Sequence, residues 1–358
     1  MYVRLCVTMH FELGSAIRNP HEMRAVCTEG AHLNNLEAAR FVKPDIHEHE
    51  VAQLTKDAVS KPFWLHFASA KKPSYRRYGE ELLPRFAECT QSKSLIARIT
   101  HGEKAYLKEY PWMALLEYTN AKEKRHLCVG SLINHRYVIT AAHCLESHLD
   151  LGLSSVRLGE WDTSTNPDCI LNAYGEAFCA PKHIIVMIEH AVPHPLYKPN
   201  SKNSINDIGL LRLERNIRYN DFISPICLPR SAESNKITYD GTRMAVIGWG
   251  RDENSKENTI KMKASVVGVG AERCKRFYRR KYVTLTDSQI CAVGDGGSDS
   301  CQGDSGGPLI TTQTVKKCVY ILAGIVSFGS KNCGLEDFPS VYTKVDKYTA
   351  WILHTIKP

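Results

Sequence analysis

Gly303-Asp304-Ser305-Gly306-Gly307-Pro308-Leu309 sets a single hydroxyl among glycines, in a run that must turn sharply. Alone, such a run is an ordinary Gly-rich turn. Two upstream stretches change its weight: Thr140-Ala141-Ala142-His143-Cys144 and Asn206-Asp207-Ile208-Gly209-Leu210-Leu211. A histidine beside a cysteine is usually structural, and an aspartate before an apolar strand is usually a turn residue. In the chain order His, Asp, Ser, the three together supply what acyl transfer needs. A serine hydroxyl is a poor nucleophile at neutral pH and needs a base to take its proton as it attacks. An imidazole serves as that base, and a buried carboxylate orients it.

Around these stretches the chain is rich in short β-type runs. They are Met113–Tyr118, Ser131–Ile133 with Tyr137–Thr140, Ser155–Leu158, Gly209–Leu213, Met244–Ile247, Tyr320–Val326 and Ser340–Val345. Gly, Pro, Asn and Asp lie between them, which predicts an all-β sandwich or barrel arrangement. Lys347–Ile356 reads as a closing helix, with Trp351, Ile352 and Ile356 spaced for one buried face. Residues 1–98 differ in texture: they are charged, histidine-bearing and weakly patterned, and Lys71–Arg77 reads as exposed linker. The expected division is therefore 1–98 and 99–358.

Composition narrows the class. A formal charge of +8 over 358 residues permits weak attraction to acidic surfaces, and no Lys/Arg-rich stripe is read as a nucleic-acid site. Thirteen cysteines without a CxxC…CxxC cluster argue for an oxidising, extracellular destination, and the odd count leaves at least one thiol unpaired or paired with another chain. No apolar run reaches the ~18 residues of a spanning helix. The N-terminus makes a poor signal peptide: after Arg4 the apolar stretch Leu5–Phe11 is interrupted by Thr8 and His10 and ended by Glu12. Either the signal is weak or a first exon is missing, and the second is the preferred expectation. No Asn-x-Ser/Thr acceptor occurs, so N-glycosylation is not expected.

With these motifs, residues 99–358 resemble the chymotrypsin/trypsin-like serine proteases. The resemblance implies two six-stranded Greek-key β-barrels with a C-terminal helix, preceded by an irregular N-terminal pro-segment. It makes Ser305 the nucleophile, His143 the general base and acid, and Asp207 the orienting carboxylate. Backbone N–H groups of Gly303 and Ser305 form the oxyanion hole. Asp299, six residues before the nucleophile, lies at the floor of a pocket that selects Arg or Lys. Ser327-Phe328-Gly329 lines the extended substrate. Two departures stand out: Phe328 replaces the usual Trp, and Ser340 replaces a wall Gly. The added hydroxymethyl narrows the pocket, tilting Arg against Lys or lowering activity. Arg98-Ile99-Thr100-His101-Gly102 resembles a zymogen activation junction; cutting after Arg98 frees the Ile99 ammonium to pair with Asp304.

The resemblance pairs Cys128 with Cys144, Cys274 with Cys291, Cys301 with Cys333, Cys89 with Cys227 and Cys169 with Cys179. Cys6, Cys27 and Cys318 are left without assigned partners. The loop pair, the tether and Glu160-Trp161-Asp162 resemble arthropod clip-domain proteases of immune and developmental cascades, although residues 1–70 lack the six cysteines of a clip domain. No cofactor is required. Calcium is weighed against a solvated acidic loop, with Glu160 the first ligand and Asp168 or Glu176 behind it. The implied partners are protein substrates with Arg or Lys at the cut site, an upstream activating protease and serpin-type inhibitors. The expected function is a secreted endopeptidase in an extracellular cascade. Its alternatives are a digestive trypsin and a weak or inactive homologue that acts by binding.

Overall fold

The computed structural model describes residues 79–85, 88–89, 102–147, 150–229, 238–251, 258–295, 303–314, 318–330 and 338–358. The chain divides at Pro73, and all described residues belong to the unit Ser74–Pro358. The first half of that unit contains β1 (Glu103–Lys104), β2 (Met113–Thr119), β3 (Lys124–Leu132), β4 (Tyr137–Thr140) and β5 (Gly152–Leu158). A short hairpin follows, β6 (Cys169–Leu171) and β7 (Ala177–Cys179), and then β8 (Ile184–Pro193) and β9 (Gly209–Leu213). Strands β2-β3-β4-β9-β8-β5 close into an antiparallel barrel. Its turns are written in asparagine: Asn120 Oδ1 accepts the Lys122 and Glu123 N–H groups, and Asn134 Oδ1 accepts those of Arg136 and Tyr137.

The second half contains β10 (Arg243–Gly248), β11 (Met262–Val269), helix α1 (Ala271–Arg279), β12 (Gln289–Gly294), β13 (Pro308–Thr314), β14 (Cys318–Phe328) and β15 (Ser340–Lys344). The sheet runs β1-β11-β10-β13-β14-β15-β12, and the additional β11–β12 pairing closes a second six-stranded barrel. A 3-10 turn at Val345–Tyr348 leads into α2 (Thr349–Thr355). Ile352, Leu353 and Ile356 of this closing segment are buried and Trp351 is half-buried, as its spacing predicts.

Several barrel strands are buried along nearly their whole length. Leu116, Leu132, Val138, Leu158 and Leu210 point into the first barrel with no exposed surface, each contributing about 1.5–3 kcal/mol by leaving water. Met244, Leu309, Ala323 and Tyr342 fill the second in the same way. The all-β expectation holds, with two barrels and a C-terminal helix. Helix α1, the β6–β7 hairpin and strands β8, β11, β12 and β13 are not among the runs the sequence announces. Strand β11 shows why: its buried face begins with Lys263 and includes Ser265, which breaks the apolar alternation.

Four disulfides are formed among the described residues: Cys89–Cys227, Cys128–Cys144, Cys169–Cys179 and Cys274–Cys291. Each matches the pairing implied by resemblance. Cys301, Cys333, Cys6 and Cys27 lie outside the described residues, as do Arg98, Ile99 and Asp299. No helix of the described residues is long and apolar enough to cross a membrane.

Candidate active site

The site forms where the two barrels meet. His143 sits in the 3-10 turn Ala142–Leu145 that follows β4, and its neighbour Cys144 is bonded to Cys128 of β3. Tyr118 Oη donates to Cys144 O at 2.5 Å, pinning the same turn from β2. Asp207 stands immediately before β9 and is 1% exposed. Its Oδ1 accepts the backbone N–H of His143 at 3.0 Å, and its Oδ2 lies 2.9 Å from His143 Nδ1.

Asp207 is held from the second barrel as well. Ser327 Oγ donates to Asp207 Oδ2 at 2.5 Å, and Thr343 Oγ1 donates to Asp207 O at 2.7 Å. Ser327 belongs to the stretch expected to line the substrate through its main chain, and its buried side chain reaches the Asp207 carboxylate. Thr343 carries no sequence signal at all. Tyr348 Oη adds a bond to Asn206 Oδ1 at 2.9 Å. Burial lowers the affinity of the His143 ring for a proton, but the hydrogen bond and charge of Asp207 outweigh it. The net result is a pKa above the ordinary imidazole value.

The loop that carries Ser305 is wedged between the barrels. Val129 N, on β3, donates to Ser305 O at 2.9 Å, while Gly306 N donates to Val326 O of β14 at 3.0 Å. The Val129 contact lies one residue from the Cys128–Cys144 bridge beside His143, which brings Ser305 and His143 to one place. Gly306 has φ 75°, and a Cβ there would collide with Thr140 Oγ1. Gly303 has φ 100°, and a Cβ would press on Gly250 at 3.0 Å. Both positions therefore require glycine. The Asp304 carboxylate lies over Gly248 and Gly250, and Gly250 N donates to its Oδ1 at 2.8 Å.

Of the residues expected to form the pocket wall, Ser340, Gly329 and Phe328 are described. Ser340 is 3% exposed and pairs with Ala292 across the β12–β15 ladder. A Cβ built on Gly329 would stand 2.7 Å from Ser340 Oγ, so these two residues face one another closely. Phe328 packs edge-on against Tyr278 of α1, with ring centroids 5.6 Å apart.

Glu160 does not offer itself to calcium. Its carboxylate is buried; Oε2 takes Arg157 Nη1 at 2.9 Å and His183 Nδ1 at 3.0 Å, and Oε1 takes the Trp161 N–H at 3.0 Å. Asp168 is spent on the N–H groups of Trp161 and Asp162 and on Thr165 Oγ1. Glu176 is exposed and bonded to Asn172 within its own hairpin. A donor set already committed to a guanidinium, an imidazole and backbone amides does not fit a divalent cation that needs six to eight oxygens. Arg157 also binds the fully buried Glu117, at 2.7 Å through Nη2. Burial alone would raise the Glu117 pKa, but bonds from His126, Ser155, Arg157 and Lys124 hold it far below the usual carboxylate range. One further metal-like grouping, Cys128, His143 and Cys144, has both sulfurs in a disulfide and so offers no thiolate.

Comparison with known proteins places this geometry. The family described as Trypsin matches residues 99–352. Serine protease ea of Drosophila melanogaster is 49% identical over 281 residues, covering 77% of this chain and 71% of that protein. Melanization protease 1 of the same species is 43% identical, covering 80% and 72%. The Spaetzle-processing enzyme, also from Drosophila melanogaster, is 43% identical, covering 73% and 67%. Among solved structures, the drosophila Grass clip serine protease of the Toll pathway superposes with a TM-score of 0.63 at 35% identity, over 74% of each chain.

Proposed function

This chain belongs to the trypsin family of serine proteases, and on that premise we propose that it is a secreted zymogen of an extracellular cascade. It is activated by cleavage after Arg98 and then cuts protein substrates after Arg or Lys. The observation that carries the reading is the double grip of Asp207 on His143, with Ser327 closing the third side. Ser305 Oγ bonds to the scissile carbonyl carbon as His143 takes its proton. The oxyanion is received by the N–H groups of Gly303 and Ser305, each worth about 3–4 kcal/mol. Collapse breaks the C–N bond, His143 returns the proton to the leaving amine, and water then repeats the attack to release the acid and restore Ser305.

In this reading the new Ile99 ammonium pairs with Asp304, and Asp299 receives the substrate guanidinium or ammonium. The upstream activator is itself specific for Arg. Insect relatives named for melanization and for Spaetzle processing support a cascade of immune or developmental type, with protein substrates and serpin-type regulation.

The test is hydrolysis of an Arg-ending chromogenic peptide before and after cleavage at Arg98–Ile99, with Ser305→Ala as control. Activity that appears only after the cut and vanishes in the control supports the proposal. Silence after verified cleavage overturns it in favour of a binding homologue, with the close approach of Ser340 to Gly329 as the structural cause.

A further inference from the structure

Helix α1 and the turn after it read Glu272-Arg273-Cys274-Lys275-Arg276-Phe277-Tyr278-Arg279-Arg280-Lys281, six cations and one acid in ten residues. Overall charge hides this cluster, because the +8 is spread over 358 residues. The inner face of the helix is fixed by the Cys274–Cys291 disulfide, by the Tyr278 ring against Phe328, and by Tyr278 Oη donating to Pro339 O at 2.5 Å. The outer face exposes Arg273, Arg276, Arg279 and Arg280, with Lys281 and Tyr282 beyond.

Three of these cations are left without a counter-charge among the described residues. Asp287 and Glu272 are taken by Lys275, which lies 2.7 Å from the first and 3.7 Å from the second. Arg276, Arg279 and Arg280 make no ion pair with any of the described residues. Arg276 and Arg280 are neighbours at i, i+4, where like charges oppose the helix. The 201–204 loop adds exposed Lys202, since Asn203 Oδ1 and O accept from Thr284 N and Gln289 Nε2. A helix that keeps repelling charges, and depends on a disulfide and buried aromatics to hold it, breaks a local rule without local compensation.

We propose that the outer face of α1, with the turn to Lys281, is a docking surface for a linear sulfated polysaccharide. Guanidinium forks match sulfate oxygens two at a time, and four of the six cations are arginines. Arg273, Arg276 and Arg280 follow one helix face for about 10 Å. That is a convex track along which a polymer of repeating charge can lie, and it has no walls to enclose a single small anion. A lipid surface would call for a buried apolar face beside the cations, and a single-stranded nucleic acid for stacked aromatics between them. Here the large exposed apolar side chain beside the track is Tyr282 alone among the described residues. The disulfides place the chain where sulfated polysaccharides occur. This inference does not depend on activation, on cleavage after Arg, or on catalysis.

The experiment is elution of the full chain from immobilised heparin with NaCl, comparing wild type, Arg276→Ala/Arg279→Ala/Arg280→Ala, and Lys104→Ala/Lys122→Ala/Arg125→Ala. The last variant removes the same charge from strands and turns away from α1. The α1 variant is expected to elute at markedly lower salt, with its log–log salt slope reduced by about 2 to 3. The control variant should elute near wild type, and all three should melt at the same temperature. Equal elution of the α1 variant and wild type, or equal loss in both variants, overturns the proposal. Desulfated heparin should not retain the protein. Tighter binding to oligo-dT or to phosphatidylserine vesicles at the same salt, lost in the α1 variant, also overturns it by assigning the surface to another partner.

Discussion

Asp207 holds His143 at two points: Oδ1 receives the backbone N–H at 3.0 Å, and Oδ2 faces Nδ1 at 2.9 Å. The first contact fixes where the turn lies, and the second fixes which ring nitrogen carries hydrogen. With Nδ1 donating, Nε2 is left with the lone pair a general base needs. Because the carboxylate is buried, neither contact competes with water.

Replacing Asp207 with Asn therefore strikes tautomer and charge together. Asp207→Asn is expected to lower kcat on the order of 10^4-fold on an Arg-ending peptide after activation. The pH profile checks the cause. A raised His143 pKa keeps the ring protonated to higher pH, so wild-type kcat/KM falls as pH drops through a value above the ordinary imidazole one. In Asp207→Asn that limb should move to lower pH. An unmoved limb would mean that the carboxylate does not set the proton affinity of His143.

Ser340 and Gly329 face one another across the expected pocket. Ser340→Gly should relieve crowding and raise kcat/KM for Arg peptides by roughly tenfold, about 1.4 kcal/mol. Gly329→Ala should do the reverse, because its Cβ would stand 2.7 Å from Ser340 Oγ. The double variant Gly329→Ala/Ser340→Gly should recover most of the loss. Steady-state kinetics on paired Arg and Lys peptides reads all three.

Cys89 is bonded to Cys227, at the far side of the Arg98–Ile99 junction. Cleavage there should leave both pieces in one band on a non-reducing gel and in two after reduction. Cys89→Ser should separate them without reductant. This outcome distinguishes a tethered activation from the shedding of a short peptide.

Arg157 stands between two buried carboxylates, Glu117 and Glu160. Arg157→Met leaves both without their guanidinium and should cost about 3–5 kcal/mol in urea unfolding at pH 7. Since the Glu117 pKa is lowered on folding, its contribution is present above the usual carboxylate range and is lost as pH falls toward the lowered value. The difference in stability between wild type and Arg157→Met should shrink accordingly in acid. A chelator should leave the melting temperature of wild type unchanged, because internal cations occupy Glu160. A drop of several degrees would show that the loop binds a metal after all.

What the sequence determined by itself is chemistry carried by short, contiguous signatures. Thr140–Cys144, Asn206–Leu211 and Gly303–Leu309 single out His143, Asp207 and Ser305 as candidates because each proposed role depends on residue type and local backbone. Glycine at 303 and 306 is legible for the same reason: a positive φ is a local demand. The apolar strands β2, β4, β9 and β10 were legible too, since a short β-rich run bounded by turn residues needs no knowledge of its partner. Only the tertiary structure decided the rest. The Ser327 hydroxyl lies 120 positions from Asp207 and reaches it because the second barrel closes against the first. Arg157 meets Glu117 from 40 positions away only through the β2–β5 pairing, and the same guanidinium pairs with Glu160, the residue weighed as a calcium ligand. The basic face of α1 became a surface once Cys274 and Tyr278 had fixed which side of the helix is buried. Contacts of this kind depend on barrel closure and register, which no single stretch of sequence encodes.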